Sequence, residues 1–179
     1  SRPGQVRFRA VARLALRNNP TFSMGVDFGD LDGDSHEDFY AVDMFSRSRR
    51  SRQTQLAAMA PDFRPPGLFE DRVQMKRNVL EMGRADGSFS ETAQQAGVEA
   101  SEWSWGPVFL DVDLDGFEDI LIGTGQHRDF QDSDGAERVA EAQRSGRTLS
   151  PARIQELVRS LPRLVTPKIV FRNRGDATF

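Results

Sequence analysis

Two short stretches of this chain concentrate carboxylates in a pattern that favours metal binding. Each carries aspartates at positions 1, 3, 5 and 9 of a loop. At about 4 Å and an effective dielectric constant of about 20, two such charges repel by roughly 4 kcal/mol. A hard cation removes this repulsion, and a loop rich in oxygen ligands favours calcium over magnesium. The aspartates are Asp30, Asp32, Asp34 and Asp38 in the first loop, and Asp111, Asp113, Asp115 and Asp119 in the second.

A loop of this kind also predicts a backbone carbonyl ligand at position 7, which is His36 in the first loop and Phe117 in the second. Glycine at position 6 permits a sharp turn, and Gly116 supplies it in the second loop. The first loop has Ser35 at that position, although Gly33 at position 4 can relieve the turn. We therefore expect two Ca2+ sites, with the second loop closer to the ideal pattern.

Two other interpretations compete with a self-contained calcium loop. An EF-hand needs a bidentate glutamate at position 12, but that position is Ala41 in the first stretch and Ile122 in the second. Both stretches also continue into short apolar runs that are rich in strand formers, where an EF-hand needs a helix. Asp and Gly clusters are common in solvated turns as well. Two copies in register, each followed by a predicted strand, favour the calcium loop over the simple turn.

Composition limits the classes of function. The chain has 179 residues, of which 37% are hydrophobic and 28% are charged, as in globular domains. It contains no cysteine, which excludes disulfides, thiol nucleophiles and cysteine-ligated metals. The formal net charge of −3 gives no general case for nucleic acid as a partner. No apolar run reaches about 18 residues, so no membrane span is expected.

The two loops belong to an internal repeat. Asp30 and Asp111 are 81 residues apart. Residues 77–89 also match residues 167–179, and both segments read as an apolar strand, a turn with Asp, and then Ser or Thr before Phe. Repetition of this kind indicates stacked structural units. The approximate units are residues 8–88 and 89–178, and the insertions that interrupt them are residues 46–76 and 131–166.

Each unit is expected to hold about four short strands, with the acidic loop between two of them. A short helix is expected around residues 53–59 of the first insertion, and the second insertion is expected to be helical in two pieces. Its second helix begins with Ser150 as N-cap and Pro151 at the first helical position. The strands of the second unit are expected near Phe89–Thr92, Val108–Leu110, Asp119–Ile122 and Ile169–Arg172.

The pattern D-x-D-x-D-G-x-x-D between strands, together with the hairpin that precedes it, resembles the FG-GAP repeat, also called the VCBS repeat. Further segments are similar to the repeats of secreted proteins in the ASPIC/UnbV group, to which cartilage acidic protein is related. The resemblance covers roughly residues 20–45, 77–128 and 167–179. The further segments are Val42–Met44, Asn78–Leu80, Ala96–Val98 and Glu102–Gly106.

This resemblance implies an all-β fold with helical insertions, namely a partial β-propeller built from four-stranded blades of the integrin-α type. It also implies structural calcium, a secreted, extracellular or periplasmic location, and the binding of a protein or glycan ligand, for instance in cell adhesion, rather than catalysis. Ser35, Ala85 and Ala177 depart from the family pattern. Because propellers close with about 4–8 blades, two units cannot form a ring, and the remaining blades of a longer parent chain are expected partners.

Two other functions stay open from the sequence. The chain could be the scaffold of a secreted polysaccharide-active enzyme, with His127, Glu102 and Asp129 as the candidate acid–base residues. It could also be a glycan-binding lectin in which Trp103 stacks on a sugar ring. Packing is the more common role for such residues, and Trp105 is expected to be the one in the core.

Two further motifs have simple explanations. Arg174-Gly175-Asp176 spells an integrin-recognition tripeptide, but its position in a predicted hairpin favours a β-turn. Asp129, Asp132 and Asp134 could form another cation site, although helix capping explains Asp132 and Asp134 nearly as well.

Overall fold

The computed structural model describes residues 15–16, 18–54, 73–144 and 149–179, so the predicted start of the first unit at residue 8 lies outside the described residues. Within them the strands form two four-stranded sheets and one two-stranded parallel pair, β1 with β5. The strands are β1 Asn18–Pro20, β2 Gly25–Gly29, β3 Asp38–Val42, β4 Met44–Phe45, β5 Val73–Met75, β6 Val79–Gly83, β7 Phe89–Glu91, β8 Glu102–Leu110, β9 Asp119–Thr124 and β10 Ile169–Phe171. The helices are α1 Arg49–Thr54, α2 Ala93–Ala96, α3 Ser133–Arg144 and α4 Pro151–Ser160.

The first sheet has the strand order β2-β3-β6-β7, and every neighbouring pair is antiparallel. Its central strand β3 buries Tyr40 and Val42 completely. The hairpin predicted within residues 77–89 corresponds to β6 and β7, which pair through Met82 and Ser90. Gly87 in its turn has a φ of 76°, a left-handed conformation that glycine adopts without strain.

The second sheet has the order β10-β9-β8-β4 and is also antiparallel. Strands β8, β9 and β10 occupy the places that β2, β3 and β6 have in the first sheet. The fourth strand is different, because β4 adds to β8 through a pairing of Met44 with Trp103. The strand predicted at Phe89–Thr92 is present as β7 Phe89–Glu91. It pairs with β6 in the first sheet, so residues 89–178 do not supply all four strands of the second sheet.

The two sheets pack side by side through β2 and β8, and two glycines permit the close approach. A Cβ atom at Gly25 would lie 2.6 Å from the carbonyl oxygen of Trp105, and one at Gly29 would lie 2.8 Å from the ring of Phe109. The backbone N–H of Phe109 also donates to the carboxylate of Asp27 across this boundary, at 2.7 Å. One hydrophobic core therefore extends through both sheets. It includes Leu31, Tyr40, Val42, Leu80, Val98, Phe109, Ile120, Ile122, Ile169 and Phe171.

The prediction of a β-rich fold with helical insertions is confirmed. Antiparallel sheets form the body of the structure, and three of the four helices in the described residues lie in the two insertions. None of the sheets in this described part closes into a barrel. The arrangement of these sheets as blades of a propeller is a finer statement, and it stays a prediction.

The helices of the insertions follow from their caps. α1 begins at Arg49, earlier than the predicted helix at 53–59, because the hydroxyl of Ser48 accepts a hydrogen bond from the backbone N–H of Ser51 at 3.0 Å. Residues 55–59 of that prediction lie outside the described residues. Both helices predicted in the second insertion are present. Ser150 caps α4 as expected, since its hydroxyl accepts from the N–H of Arg153 at 3.3 Å.

A β-bulge in β8 determines which tryptophan is buried. The register between β8 and β9 shifts between Ser104 and Gly106, so Trp105 is the extra residue. A bulge of this kind reverses the alternation of inward and outward side chains. Trp103 is therefore 8% exposed, whereas Trp105 is 43% exposed. The expectation that Trp105 lies in the core is wrong, because the bulge cannot be read from the residue types alone.

Candidate metal centres

The two acidic loops join equivalent strands of the two sheets. The first connects β2 to β3, and the second connects β8 to β9. Strands flank both loops, in agreement with the apolar runs that follow them in the sequence. Each loop therefore has its ends fixed in a sheet, while most of its acidic side chains stay accessible from solvent.

The first loop is folded by hydrogen bonds to its own side chains. The carboxylate of Asp30 accepts from the backbone N–H groups of Asp34 at 3.0 Å and Ser35 at 2.9 Å. Asp32 also accepts from the N–H of Asp34, at 3.2 Å. Asp34 in turn accepts from the N–H of His36 at 2.8 Å. These side chains therefore act as local turn formers, and they fold the loop back onto its first aspartate.

The second loop repeats the bonds accepted by the aspartates at positions 1 and 5. The carboxylate of Asp111 accepts from the backbone N–H groups of Asp115 and Gly116, both at 3.0 Å. Asp115 accepts from the N–H of Phe117 at 3.1 Å. Positions 1, 5, 6 and 7 thus have the same roles in both loops, as their matching sequence pattern leads one to expect.

The last aspartate ties each loop to the strand that pairs with the far side of the strand after the loop. This third strand is β6 in the first sheet and β10 in the second. Asp38 is 1% exposed, and its carboxylate accepts from the N–H of Leu31 at 2.9 Å and from that of Gly83 in β6 at 2.8 Å. Asp119 makes the equivalent pair of bonds, one of them to the N–H of Asn173 at 2.8 Å. Burial raises the pKa of Asp38, against the lowering effect of its two backbone hydrogen bonds. Position 9 therefore has a structural role with or without a metal.

Positions 4 and 6 are left-handed in both loops, but only one of them is glycine in each. The φ angles are 77° at Gly33 and 68° at Ser35 in the first loop, and 61° at Leu114 and 94° at Gly116 in the second. A residue with a Cβ atom is strained by roughly 1 kcal/mol or more in this region. The two loops therefore adopt one backbone path and place glycine at different points along it, so each retains one strained residue.

Three carboxylates converge in each loop, and their ligand oxygens all lie within 4.8 Å of one another. Two predicted ligands, Asp34 and Asp119, lie outside these groups. The carbonyl ligands predicted at His36 and Phe117 stay predictions. The groups are Asp30, Asp32 and Asp38 in the first loop, and Asp111, Asp113 and Asp115 in the second.

The donor set of each group fits a hard divalent cation. Calcium–oxygen distances are about 2.3–2.6 Å, so two oxygens on one ion lie at most about 5 Å apart. The 4.8 Å span of each group meets this condition. Both groups consist of carboxylates alone, whereas zinc sites in proteins usually include histidine or cysteine ligands. Each loop could therefore hold a metal ion that prefers oxygen.

The second loop has a counter-ion of its own. The guanidinium of Arg172, the residue after β10, donates to the carboxylates of Asp113 at 2.5 Å and Asp115 at 3.1 Å. Residues 77–89 match residues 167–179, so the equivalent position in the first sheet is Met82, which has no charge. Sequence reasoning missed this arginine because it lies 59 residues after Asp113. No pattern in the sequence links it to the second loop.

The first loop has an additional acid beside it. Glu118, the residue before Asp119, places its carboxylate against Gly29, which precedes Asp30 in the chain. Burial, followed by repulsion from Asp27 and Asp30, raises the pKa of Glu118. Negative charge therefore accumulates around the first loop, and no arginine stands at the position that Arg172 occupies in the second.

A buried carboxylate in the first sheet was also missed. Glu81 in β6 is 2% exposed, and its Oε1 atom has no hydrogen-bond partner. Burial, assisted by repulsion from Glu91, raises the pKa of Glu81 to about 7. Glu91 itself pairs with Arg77 at 2.5 Å. The equivalent residue of the second sheet is Phe171, so an ionisable group occupies a place that the repeat otherwise gives to an aromatic ring.

The candidate acid–base residues have separate surroundings. His127 lines an open cleft. Glu102 accepts hydrogen bonds from the hydroxyl of Ser46 and from the N–H of Arg47. Asp129 is buried and accepts from the N–H of Gln131 at 3.0 Å. Since no hydrogen bond within the described residues joins any two of the three candidates, their arrangement gives no support to an acid–base pair.

The remaining motifs have structural roles. The carboxylate of Asp132 accepts from the N–H of Gly135 at 2.8 Å and caps α3, so capping explains this aspartate. Arg174-Gly175-Asp176 forms a turn, in which Gly175 has a φ of 85° and Asp176 accepts from the N–H of Thr178 at 3.1 Å. This agrees with the predicted β-turn.

Comparison of the chain with protein-family models, with curated proteins and with solved structures found no match in any of the three. Within the described residues, no helix combines the length and the apolar character needed to cross a bilayer.

Proposed function

We propose that this chain is part of a calcium-stabilised β-propeller of the FG-GAP or VCBS type, akin to the ASPIC/UnbV group, and that it serves as a non-enzymatic interaction or adhesion module outside the cytoplasm. The observation that carries the proposal is the pair of acidic loops. Both occupy the same place in successive sheets, share the hydrogen bonds accepted by the aspartates at positions 1 and 5, and bring three carboxylates together. A single acidic turn is ordinary, but two built alike favour one shared purpose.

Calcium has a structural role in this proposal. In the first loop, Asp30 and Asp32 would bind the ion together with Asp38, whose carboxylate also holds the N–H of Gly83. A bound cation supplies positive charge that offsets the repulsion between these carboxylates. Because Asp30 follows β2, Asp38 starts β3 and Gly83 ends β6, the site would stabilise the register of three strands.

Exposed apolar side chains support the presence of further blades. Alternate residues of β2 and β8 point out of the common core, and Phe28 and Leu110 among them are 57% and 51% exposed. Neighbouring sheets that stack on these strands would cover them, as repeat architectures require. The exposed apolar residues of these two strands are Val26, Phe28, Val108 and Leu110.

The chemistry of the loops also suits a location outside the cytoplasm. Extracellular calcium modules have dissociation constants of about 10⁻⁴–10⁻³ M, which match calcium-rich surroundings. An open loop with three convergent carboxylates and exposed sides belongs to this weaker class rather than to high-affinity cages. The ligand of such a module would be a protein or a glycan.

Calorimetric titration of metal-free protein with calcium tests the proposal. We expect two sites in this affinity range, and Asp32→Asn and Asp113→Asn should each remove one of them. Asp86→Asn is the matched control, because Asp86 is an exposed turn aspartate outside both loops that accepts hydrogen bonds from the neighbouring Ser88. Absence of calcium uptake by folded wild-type protein at millimolar concentration would refute the proposal.

A further inference from the structure

A cleft beside the second insertion has the chemistry of a binding site for anionic sugars. It has a volume of about 590 Å³, in the range of small-ligand sites. Residues from the end of β9 and from the segment that follows α4 line it. They are Gly125, Gln126, His127, Arg128, Arg163, Leu164, Val165 and Thr166.

The cleft is held by backbone pairing between its two sides. Arg128 and Arg163 form an antiparallel bridge, and the N–H of Leu164 donates to the carbonyl of His127 at 3.2 Å. One nitrogen of the Arg128 guanidinium also donates to the carbonyl of Leu161 at 2.9 Å, which positions this side chain. The two arginines therefore come together through fixed backbone rather than through mobile side chains alone.

Positive charge in the cleft is not balanced by acids of the lining. None of the described residues that line it is acidic, and the ion pairs among the described residues include neither Arg128 nor Arg163. The neighbouring acid, Asp129, is buried and accepts its hydrogen bond from the N–H of Gln131. Arginine presents a planar fork of donors that suits carboxylate and sulfate groups.

An exposed aromatic ring is hydrogen-bonded to one of the residues that line the cleft. The indole nitrogen of Trp105 donates to the carbonyl of Gly125 at 2.6 Å, which anchors the ring beside a lining residue while 43% of Trp105 stays exposed. The bulge in β8 turns this tryptophan out of the core. An exposed, anchored indole offers an apolar surface for the face of a sugar ring. Gln126 and Thr166 add polar groups that can bind sugar hydroxyls.

We infer that this cleft binds an acidic saccharide, with its carboxylate or sulfate on Arg128 and Arg163 and a sugar ring against Trp105. The inference does not depend on calcium in the acidic loops, since no residue of either loop lines the cleft. It assigns a function to the second insertion, which the repeat itself does not need.

Binding of defined tetrasaccharides at physiological ionic strength tests this inference. The probes are a uronic-acid tetrasaccharide, a sulfated one and a neutral one of equal length, with inorganic sulfate and adenosine monophosphate as further ligands. We expect at least one acidic tetrasaccharide to bind about tenfold more tightly than the neutral one, which also identifies the acid group. Inorganic sulfate should bind more weakly than the acidic tetrasaccharide that binds most tightly. Tighter binding of the nucleotide, or equal binding of the neutral sugar, would overturn the assignment.

Variants locate the site. Arg163→Gln should weaken binding of the acidic sugar about tenfold, and Arg163 is exposed, so the change should leave the fold intact. Arg159→Gln, which removes the same charge from the exposed side of α4, should have little effect. Trp105→Ala should weaken sugar binding and leave sulfate binding unchanged. Equal losses from Arg163→Gln and Arg159→Gln would show non-specific attraction and contradict the inference.

Discussion

The two acidic loops share one backbone design but neutralise their charge in different ways. In both, the first aspartate accepts from positions 5 and 6, and the last one ties the loop to the third strand. The second loop then receives Arg172, which bonds to two of its carboxylates. The first loop has Met82 at that position and has Glu118 beside Asp30.

This difference reverses the order of expected calcium affinity that the glycine positions suggest for the two loops. Gly116 makes the second loop the better sequence match, but its charge is already partly compensated by Arg172. The first loop has greater unbalanced negative charge, so a cation should bind more tightly there. The lesson is that a loop motif defines the ligands, while residues distant in sequence determine how strongly those ligands need an ion.

The largest expected effect is the loss of stability when the aspartate at position 9, which both loops share, is removed. Asp38→Ala and Asp119→Ala each leave two backbone N–H groups without an acceptor at a buried position. We expect each to lower the free energy of unfolding by roughly 4 kcal/mol even without calcium. Denaturant unfolding in chelator measures this. Asp38→Asn keeps one acceptor oxygen and should lower the free energy of unfolding less. A large decrease in only one of the two alanine variants would contradict the equivalence of the loops.

The third strands of the two sheets provide a second contrast, between Glu81 and Phe171. The pKa of Glu81 is raised to about 7, above its ordinary value of 4.5, because burial disfavours the charged form. Below about pH 4.5 Glu81 is protonated in both the folded and the unfolded state, so it costs no stability. As the pH rises from there through about 7, the unfolded state loses the proton first, and the free energy of unfolding falls. The loss should reach roughly 3 kcal/mol.

Glu81→Gln removes this titration and should flatten the pH dependence of unfolding between about pH 4.5 and 7. Glu137→Gln is the matched control, because Glu137 is an exposed glutamate in α3. Denaturant unfolding across this pH range measures the effect. A wild-type protein that gains stability as the pH rises through this window would contradict the buried, raised-pKa assignment.

Exchange of Arg172 and Met82 between the two sheets tests whether this arginine competes with calcium. Arg172→Met should raise the calcium affinity of the second loop by about fivefold, and Met82→Arg should lower that of the first by a similar factor. Arg174→Met controls for the loss of one positive charge nearby. Calcium titration resolves the two sites, and unchanged affinities in both exchange variants would show that Arg172 does not compete with the ion.

The smallest effect concerns the strained backbone positions. Ser35→Gly and Leu114→Gly give each loop glycine at both left-handed positions. Each should stabilise the protein by about 0.5 kcal/mol, after the entropy cost of glycine in the unfolded chain is subtracted. Gly116→Ala should have the opposite sign. Stabilisation by Gly116→Ala would contradict the left-handed conformation at position 6.

The sequence was sufficient for features that depend on local pattern. Apolar runs after the aspartates predicted β3 and β9, and Ser150 followed by Pro151 predicted the start of α4. These predictions succeed because capping, turn chemistry and strand propensity act over a few residues.

The rest required long-range pairing. Nothing local indicates that β4 completes the second sheet, or that Arg172 reaches Asp113. The burial of Trp103 rather than Trp105 depends on a bulge whose partner strand lies further along the chain. Glu81 could not be identified as buried because its residue type argues for the surface.

The most direct test of the calcium account is the melting temperature of metal-free protein measured with and without calcium. At about 5 mM calcium, each site with the expected affinity should add about 1–2 kcal/mol of stability, so the two sites together should raise the wild-type melting temperature by roughly 5–15 °C. Asp32→Asn should remove more of this rise than Asp113→Asn. An identical melting temperature in calcium and in chelator, with the protein confirmed to be metal-free, would contradict the account.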